Sequence, residues 1–208
     1  PPLTSHYPLN TMDELKPRLA KLLLEKSYRE GEFVLTSGRK SDYYFDCKQT
    51  ALHPEGANLI GEMFLRMLER RNIRGVGGMT LGADPLVSAV SVLSYGPAGK
   101  GRPLPGFIIR KNPKGHGTGQ YLEGLANFSP GDRVALLEDV VTTGGTLLQS
   151  SERVKDAGLR VECVCCVLDR EEGGREALAQ AGLALESIFT RKELLDALED
   201  KELIDFVH

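Results

Sequence analysis

Residues Val134 to Thr146 read V-A-L-L-E-D-V-V-T-T-G-G-T, and this stretch decides the fold. An apolar run, read as a strand over Arg133–Leu137, meets two acids and then a turn rich in hydroxyls and glycine. A helical pattern follows over Gly145–Asp156. Strand, turn and helix in that order form an anion clamp. The turn aims backbone N–H groups and Thr hydroxyls at a phosphate, and the helix N-terminus adds the positive end of its dipole. Glu138 and Asp139, one step upstream, are placed to accept hydrogen bonds from sugar hydroxyls. The bland alternative is a strand-to-helix turn carrying surface acids.

Other phosphate motifs are missing. The chain has no G-x-x-x-x-G-K-[ST] loop. The glycines of Gly115-His116-Gly117-Thr118-Gly119-Gln120 have the wrong spacing for a dinucleotide turn and open no helical pattern.

Working outward, strands and helices alternate. Strands are expected at Gly75–Met79, Gly106–Arg110, Val161–Leu168 and Ala184–Phe189. Helices are expected at Asp84–Leu93, Glu171–Ala181 and Arg191–Leu198. Such alternation predicts an α/β fold, a mostly parallel sheet with helices on both faces and ligands outside the C-terminal strand ends. Before it come a helix over Met12–Ser27, with Thr11 and Glu14 as a capping box, and a helix over His53–Arg70. Short strands at Phe33–Leu35 and Tyr43–Asp46 lie between these helices and would make a small hood within about residues 1–50.

The 208 residues fit a single domain, and 41% hydrophobic residues suffice for its core. A net charge of -3 gives no reason to expect nucleic acid or an anionic membrane as partner. No apolar run approaches the roughly 20 residues that span a bilayer. No secretory leader pattern opens the chain. Cys47, Cys163, Cys165 and Cys166 lack zinc-site spacing and read as reduced core residues of a cytoplasmic protein.

Four further segments carry chemistry. Arg110 to Tyr121 places Arg110, Lys111, Lys114 and His116 among three glycines, the composition of a mobile lid over a highly charged anion. Gly77 to Ala83 is a glycine-bracketed turn whose backbone is suited to a second phosphate. Phe33 to Phe45 brings Tyr43-Tyr44-Phe45 next to a polar turn, as a core strand or as a flat wall for a planar ring. Leu168-Asp169-Arg170 sets a guanidinium at a strand end, able to fork onto a carboxylate.

Together these segments resemble the orotate phosphoribosyltransferase family, a branch of the type I phosphoribosyltransferases. The similarity spans roughly Phe33 to Arg170. S-G-R-K-S-x-Y-Y-F resembles the family's hood, R-K-x-x-K-x-H-G its catalytic loop, L-E-D-V-V-T-T-G-G-T its ribose-phosphate loop, and L-D-R-E-E-G-G its strand end. The resemblance implies transfer of phosphoribosyl from 5-phosphoribosyl 1-pyrophosphate to orotate, giving orotidine 5′-monophosphate for pyrimidine synthesis. It implies that Lys114 and Asp139 are catalytic, and that Arg110, Lys111, Lys114, His116 and Thr80 contact the donor's pyrophosphate side. It implies that Glu138 and Asp139 bind the ribose, and that Val140, Val141, Thr142, Thr143, Gly144, Gly145 and Thr146 hold the 5-phosphate. Tyr44, Phe45, Thr142 and Arg170 are implied to hold orotate. Magnesium is implied to ride on substrate oxygens and water, and a homodimer with shared active sites is implied.

The chain departs from many bacterial members at Thr36 and at Thr80-Leu81, where they carry lysine. Two other readings share the fold. A purine phosphoribosyltransferase would lack the hood and the L-D-R end. A non-enzymatic nucleotide-sensing regulator would lose the loop cations or gain a basic extension.

Overall fold

A computed structural model describes residues 11–34, 38, 40–113 and 120–199. Its main sheet has six strands: β3 (Gly75–Met79), β4 (Gly106–Ile109), β5 (Leu122–Glu123), β6 (Arg133–Val141), β7 (Arg160–Asp169) and β8 (Leu185–Thr190). Their order is β5-β4-β3-β6-β7-β8, parallel throughout except for β5, which runs antiparallel to β4. Successive strands move from β3 out to one edge, then return to β6 on the other side of β3. The chain therefore changes direction between β3 and β6, and open α/β sheets bind ligands at such a switch point.

Period-2 alternation along β6 builds two cores at once. Ala135 and Leu137 face the larger core, with α1 (Met12–Lys26), α3 (Pro54–Leu68) and α4 (Asp84–Tyr95). Val134 and Leu136 face the other, with α5 (Gly145–Asp156) and α6 (Gly174–Gln180). The cysteines follow the same rule. Cys163 and Cys165 pack on the first face and Cys166 on the second, all buried and unpaired. Burial pushes the Cys47 and Cys166 thiols up, as befits small core residues.

At the N-terminal end of α1 the Glu14 carboxylate accepts the Thr11 N–H at 2.7 Å, as the capping pattern predicts. A separate two-stranded antiparallel sheet, β1 (Tyr28–Val34) with β2 (Lys40–Phe45), forms the hood. Both strands begin earlier than their apolar pattern suggests. Short α2 (Lys48–Ala51) leads from the hood into α3, and α7 (Arg191–Glu199) follows β8 directly.

Candidate active site

The acid pair lies inside a strand, not beyond its end. β6 continues to Val141, with Glu138 opposite Cys166 and Val140 opposite Leu168 in the ladder to β7. Adjacent strand residues leave on opposite sides, yet the two carboxyl ends come within hydrogen-bonding reach of each other. Glu138 is 7% exposed and, with residues 140–147, lines a small cradle of about 100 Å³. Burial, with the neighbouring Asp139 charge, pushes Glu138 well above the usual carboxylate range. Asp139 faces the turn after β3. A Cβ built on Gly82 would meet its Oδ1 at 2.7 Å, so only glycine lets the turn approach that carboxylate. Glu138 thus reaches the cradle and Asp139 the turn after β3, with the two acids in contact between them.

The cradle is made of backbone. Gly144 caps α5 at φ 81°, a conformation that favours glycine. No side chain caps this helix end, and its first N–H groups have no partner within the helix. Val140, Val141, Thr142, Thr143, Gly144, Gly145 and Thr146 all line the cradle. A second motif holds it from behind. A Cβ on Gly174 would meet Val141 Cγ1 at 2.5 Å and the Thr142 carbonyl oxygen at 2.8 Å. Gly174, the second of the two glycines that end the L-D-R segment, is therefore a packing surface of the cradle.

The turn after β3 is shorter than its glycines suggest. Gly77 and Gly78 belong to β3 and are buried, because Phe107 and the Leu137 backbone leave no room for a side chain. Only Thr80 to Gly82 remain to meet a ligand. The Thr80–Leu81 peptide is cis. Thr80 Oγ1 donates to Asp84 at 2.8 Å, and the Leu81 side chain is exposed. The Thr80 N–H donates to the Ile109 carbonyl at 2.9 Å, so both donors of this residue are already engaged within the protein.

Of the basic loop, Arg110 and Lys111 are described. Lys114 and His116 lie outside the described residues, as does Thr36. Arg110 pairs with Glu123 on β5 at 3.2 Å, a contact between partly exposed groups that a stronger anion can displace. Lys111 is exposed, and its charge offsets part of the rise at Glu138.

A second cleft beside the cradle is assembled from three segments. The Arg170 N–H donates to the Val141 carbonyl at 2.9 Å, which sets this residue beside the cradle. Its side chain is 7% exposed, pairs with Glu172 at 2.9 Å and lies 4.5 Å over the Tyr43 ring. Arg191 approaches the same ring from α7 at 5.6 Å. These residues, with Phe33, Lys40 and Ser41 of the hood, line a cleft of about 790 Å³.

The aromatic expectation needs correcting. Alternation along β2 buries Tyr43 and Phe45 and turns Tyr44 outward onto Phe33, 5.5 Å between ring centres. Tyr44 and Phe45 therefore face opposite sides and do not form one wall. Tyr43, the first of the three, meets Arg170. Sequence spacing does not reveal which face of β2 points to β7. Lys48 was also missed. Its pKa is raised by its hydrogen bond with Asp46, and Asp139 adds to the rise.

Comparison with known proteins decides the family. No family model matches the chain. Orotate phosphoribosyltransferase of Nostoc sp. is 46% identical over 180 residues, covering 86% of this chain and 85% of that protein. The Aquifex aeolicus protein of the same name is 43% identical over 183 residues, covering 86% and 97%. The chain belongs to the orotate phosphoribosyltransferase family. Within this family, the solved Mycobacterium tuberculosis enzyme complexed with Fe(III) dicitrate superposes with a TM-score of 0.75 at 35% identity, covering 86% of this chain and 98% of that one. The same enzyme with 5-phospho-α-D-ribosyl 1-diphosphate gives 0.71 at 32%, with the same coverage. An adenine phosphoribosyltransferase from Trypanosoma brucei shares the fold at 20% identity and a TM-score of 0.64.

Proposed function

We propose that this chain transfers phosphoribosyl from 5-phosphoribosyl 1-pyrophosphate to N1 of orotate, releasing pyrophosphate and orotidine 5′-monophosphate in pyrimidine nucleotide synthesis. One observation carries the assignment of the base. A buried arginine, Arg170, is backed by Tyr43 and hydrogen-bonded through its backbone to Val141, immediately beside the phosphate cradle. A cation fixed there matches the carboxylate that distinguishes orotate from uracil and from the purines.

The chemistry is mainly electrostatic. Breaking the donor's C1–O bond leaves positive charge on the ribose and negative charge on pyrophosphate. Residues 140–146 anchor the 5-phosphate, and Glu138 and Asp139 flank the ribose. Arg110, Lys111, Lys114 and His116 stabilise the leaving group, with Lys114 the main catalytic cation. Orotate arrives as an anion, so the site needs no strong base. Thr142 and the hood hold its ring.

Glu138 is costly to ionise in the free protein. Positive charge, whether on the ribose at the transition state or on a bound cation, reverses that shift. Magnesium suits this arrangement because it prefers phosphate oxygens and water, and it would neutralise pyrophosphate charge. Among the described residues no group of three or more His, Cys, Asp or Glu side chains gathers to cage an ion. The ion would therefore be held mainly through the donor's own oxygens and water.

The proposal includes a cytoplasmic homodimer with shared sites. Four free, buried thiols are consistent with a reducing compartment. An exposed apolar cleft of about 780 Å³, lined by Leu52, Leu81 and Val92, lies against the turn after β3 and is a surface suited to a second copy. Among the described residues no helix is long and apolar enough to cross a membrane.

The test is direct. Purified protein with magnesium and donor should consume orotate, followed by loss of its absorbance, and should leave adenine, guanine, hypoxanthine and uracil unchanged. Turnover of a purine in place of orotate would overturn the assignment.

A further inference from the structure

The last turn of α5 holds a residue with no place in the site described so far. Arg153 Nη1 donates to the Arg110 carbonyl oxygen at 2.7 Å, and Nη2 donates to the Lys111 carbonyl oxygen at 3.2 Å. The same guanidinium lies 4.0 Å over the ring of Tyr121. Arg110 and Lys111 begin the basic segment, and Tyr121 ends it. The two ends are already joined by the Arg110 N–H, which donates to the Tyr121 carbonyl at 2.8 Å. One side chain therefore grips both ends of the segment that carries the cations. It does so from the helix whose other end forms the phosphate cradle.

We propose that Arg153 is a positioning residue for phosphoribosyl transfer, holding the roots of the basic segment at a fixed distance from the cradle at the far end of α5. The planar guanidinium suits the task, since it forks onto two carbonyls while its face rests on an aromatic ring. α5 then acts as a spacer. Its N-terminus meets the 5-phosphate, and its C-terminal turn sets where Arg110 and Lys111 stand for the pyrophosphate. The inference rests on the donor site proposed above.

Two ligands separate this role from a structural one. Ribose 5-phosphate occupies the cradle alone, whereas 5-phosphoribosyl 1-pyrophosphate with magnesium needs the cradle and the cations together. Calorimetric titration of Arg153→Ala should show unchanged affinity for ribose 5-phosphate and weaker binding of the donor. In the assay, kcat/KM for the donor should fall by roughly 10²-fold, the scale of a misplacement of about 1 Å, with the KM for orotate unchanged. Arg153→Lys keeps the charge but cannot fork, so it should retain most of the defect. Full rescue by lysine would overturn the proposal in favour of simple charge. Equal weakening of both ligands would overturn it in favour of a general role in holding α5. Wild-type protein that binds neither ligand would instead overturn the donor site itself.

Discussion

The phosphate end of the site and the base end are built in different ways. The cradle at residues 140–147 is one continuous segment of backbone, from the end of β6 to the start of α5. Its distant supports are themselves mainly backbone: Gly174 lies against Val141 and Thr142, and the Arg170 N–H donates to the Val141 carbonyl. The base side needs Tyr43 from β2, Arg170 and Glu172 after β7, and Arg191 from α7. Backbone binding is encoded locally, whereas side-chain binding is encoded by which strands meet. On the proposed reading, specificity for a base therefore lies where a short stretch of sequence says least.

The largest effect should come from the basic segment, which serves the phosphate end without being part of the cradle. Lys114→Ala should lose about 10²–10³ in rate while circular dichroism stays native. Asp139→Asn should be impaired at the ribose. If sites are shared between subunits, mixing the two variants and letting subunits exchange should restore activity towards about a quarter of wild type, since about half the dimers are mixed and each has one intact site. Exchange without recovery would show that the segment serves its own chain.

Gly174→Ala probes the support behind the cradle. The added Cβ has no room against Val141 and Thr142. Overpacking of this kind costs about 1–3 kcal/mol. Ribose 5-phosphate affinity should fall by more than any change at the base side, measured as orotate-over-uracil selectivity. An unchanged affinity would mean that the cradle yields easily and that the two ends are built more alike.

The smallest effect concerns Glu138. Its folded pKa lies above its ordinary value of 4.5, mainly through burial. The folded state therefore holds the proton more tightly than the unfolded chain. That contribution to stability is fully present below the unfolded pKa and is lost as pH rises through the folded one. Free Glu138→Gln should thus melt higher than wild type near neutral pH, with the gap closing as pH falls through the carboxylate range. A gap independent of pH would sink this reading. The same variant should bind donor more weakly.

The contrast between the two ends also explains what the sequence reveals. Gly145–Asp156 and Gly75–Met79 read directly, because helical spacing and glycine-bounded apolar runs are local signals. β6 reads as stopping at Leu137 because acids are rarely buried, yet Glu138 is buried. β1, Y-R-E-G-E-F-V, is largely exposed and carries no alternation to read. α2 and β5 are too short for any period. In the cradle every residue of the T-T-G-G-T turn is where its motif implies. In the hood the motif marks the right strand but not Tyr43, the residue that meets Arg170, because that contact depends on distant chain. Arg153 follows no motif at all. Its meaning appears only when the ends of α5 and of the basic segment are seen together.

The most direct measurement is the ratio of kcat/KM for orotate to that for uracil, in wild type and in Arg170→Ala. Removing Arg170 takes away its 2.9 Å contact with the Glu172 carboxylate, so Arg170→Met with Glu172→Gln serves as a second variant in which both charges are removed. Wild type should use orotate and reject uracil. A charge-assisted contact is worth about 1.5–3 kcal/mol, so both variants should lose roughly 10–10² of that preference. Ribose 5-phosphate affinity should stay unchanged in both. Equal use of orotate and uracil by the wild type, or an unaltered ratio in both variants, would contradict the assignment of Arg170 to the base.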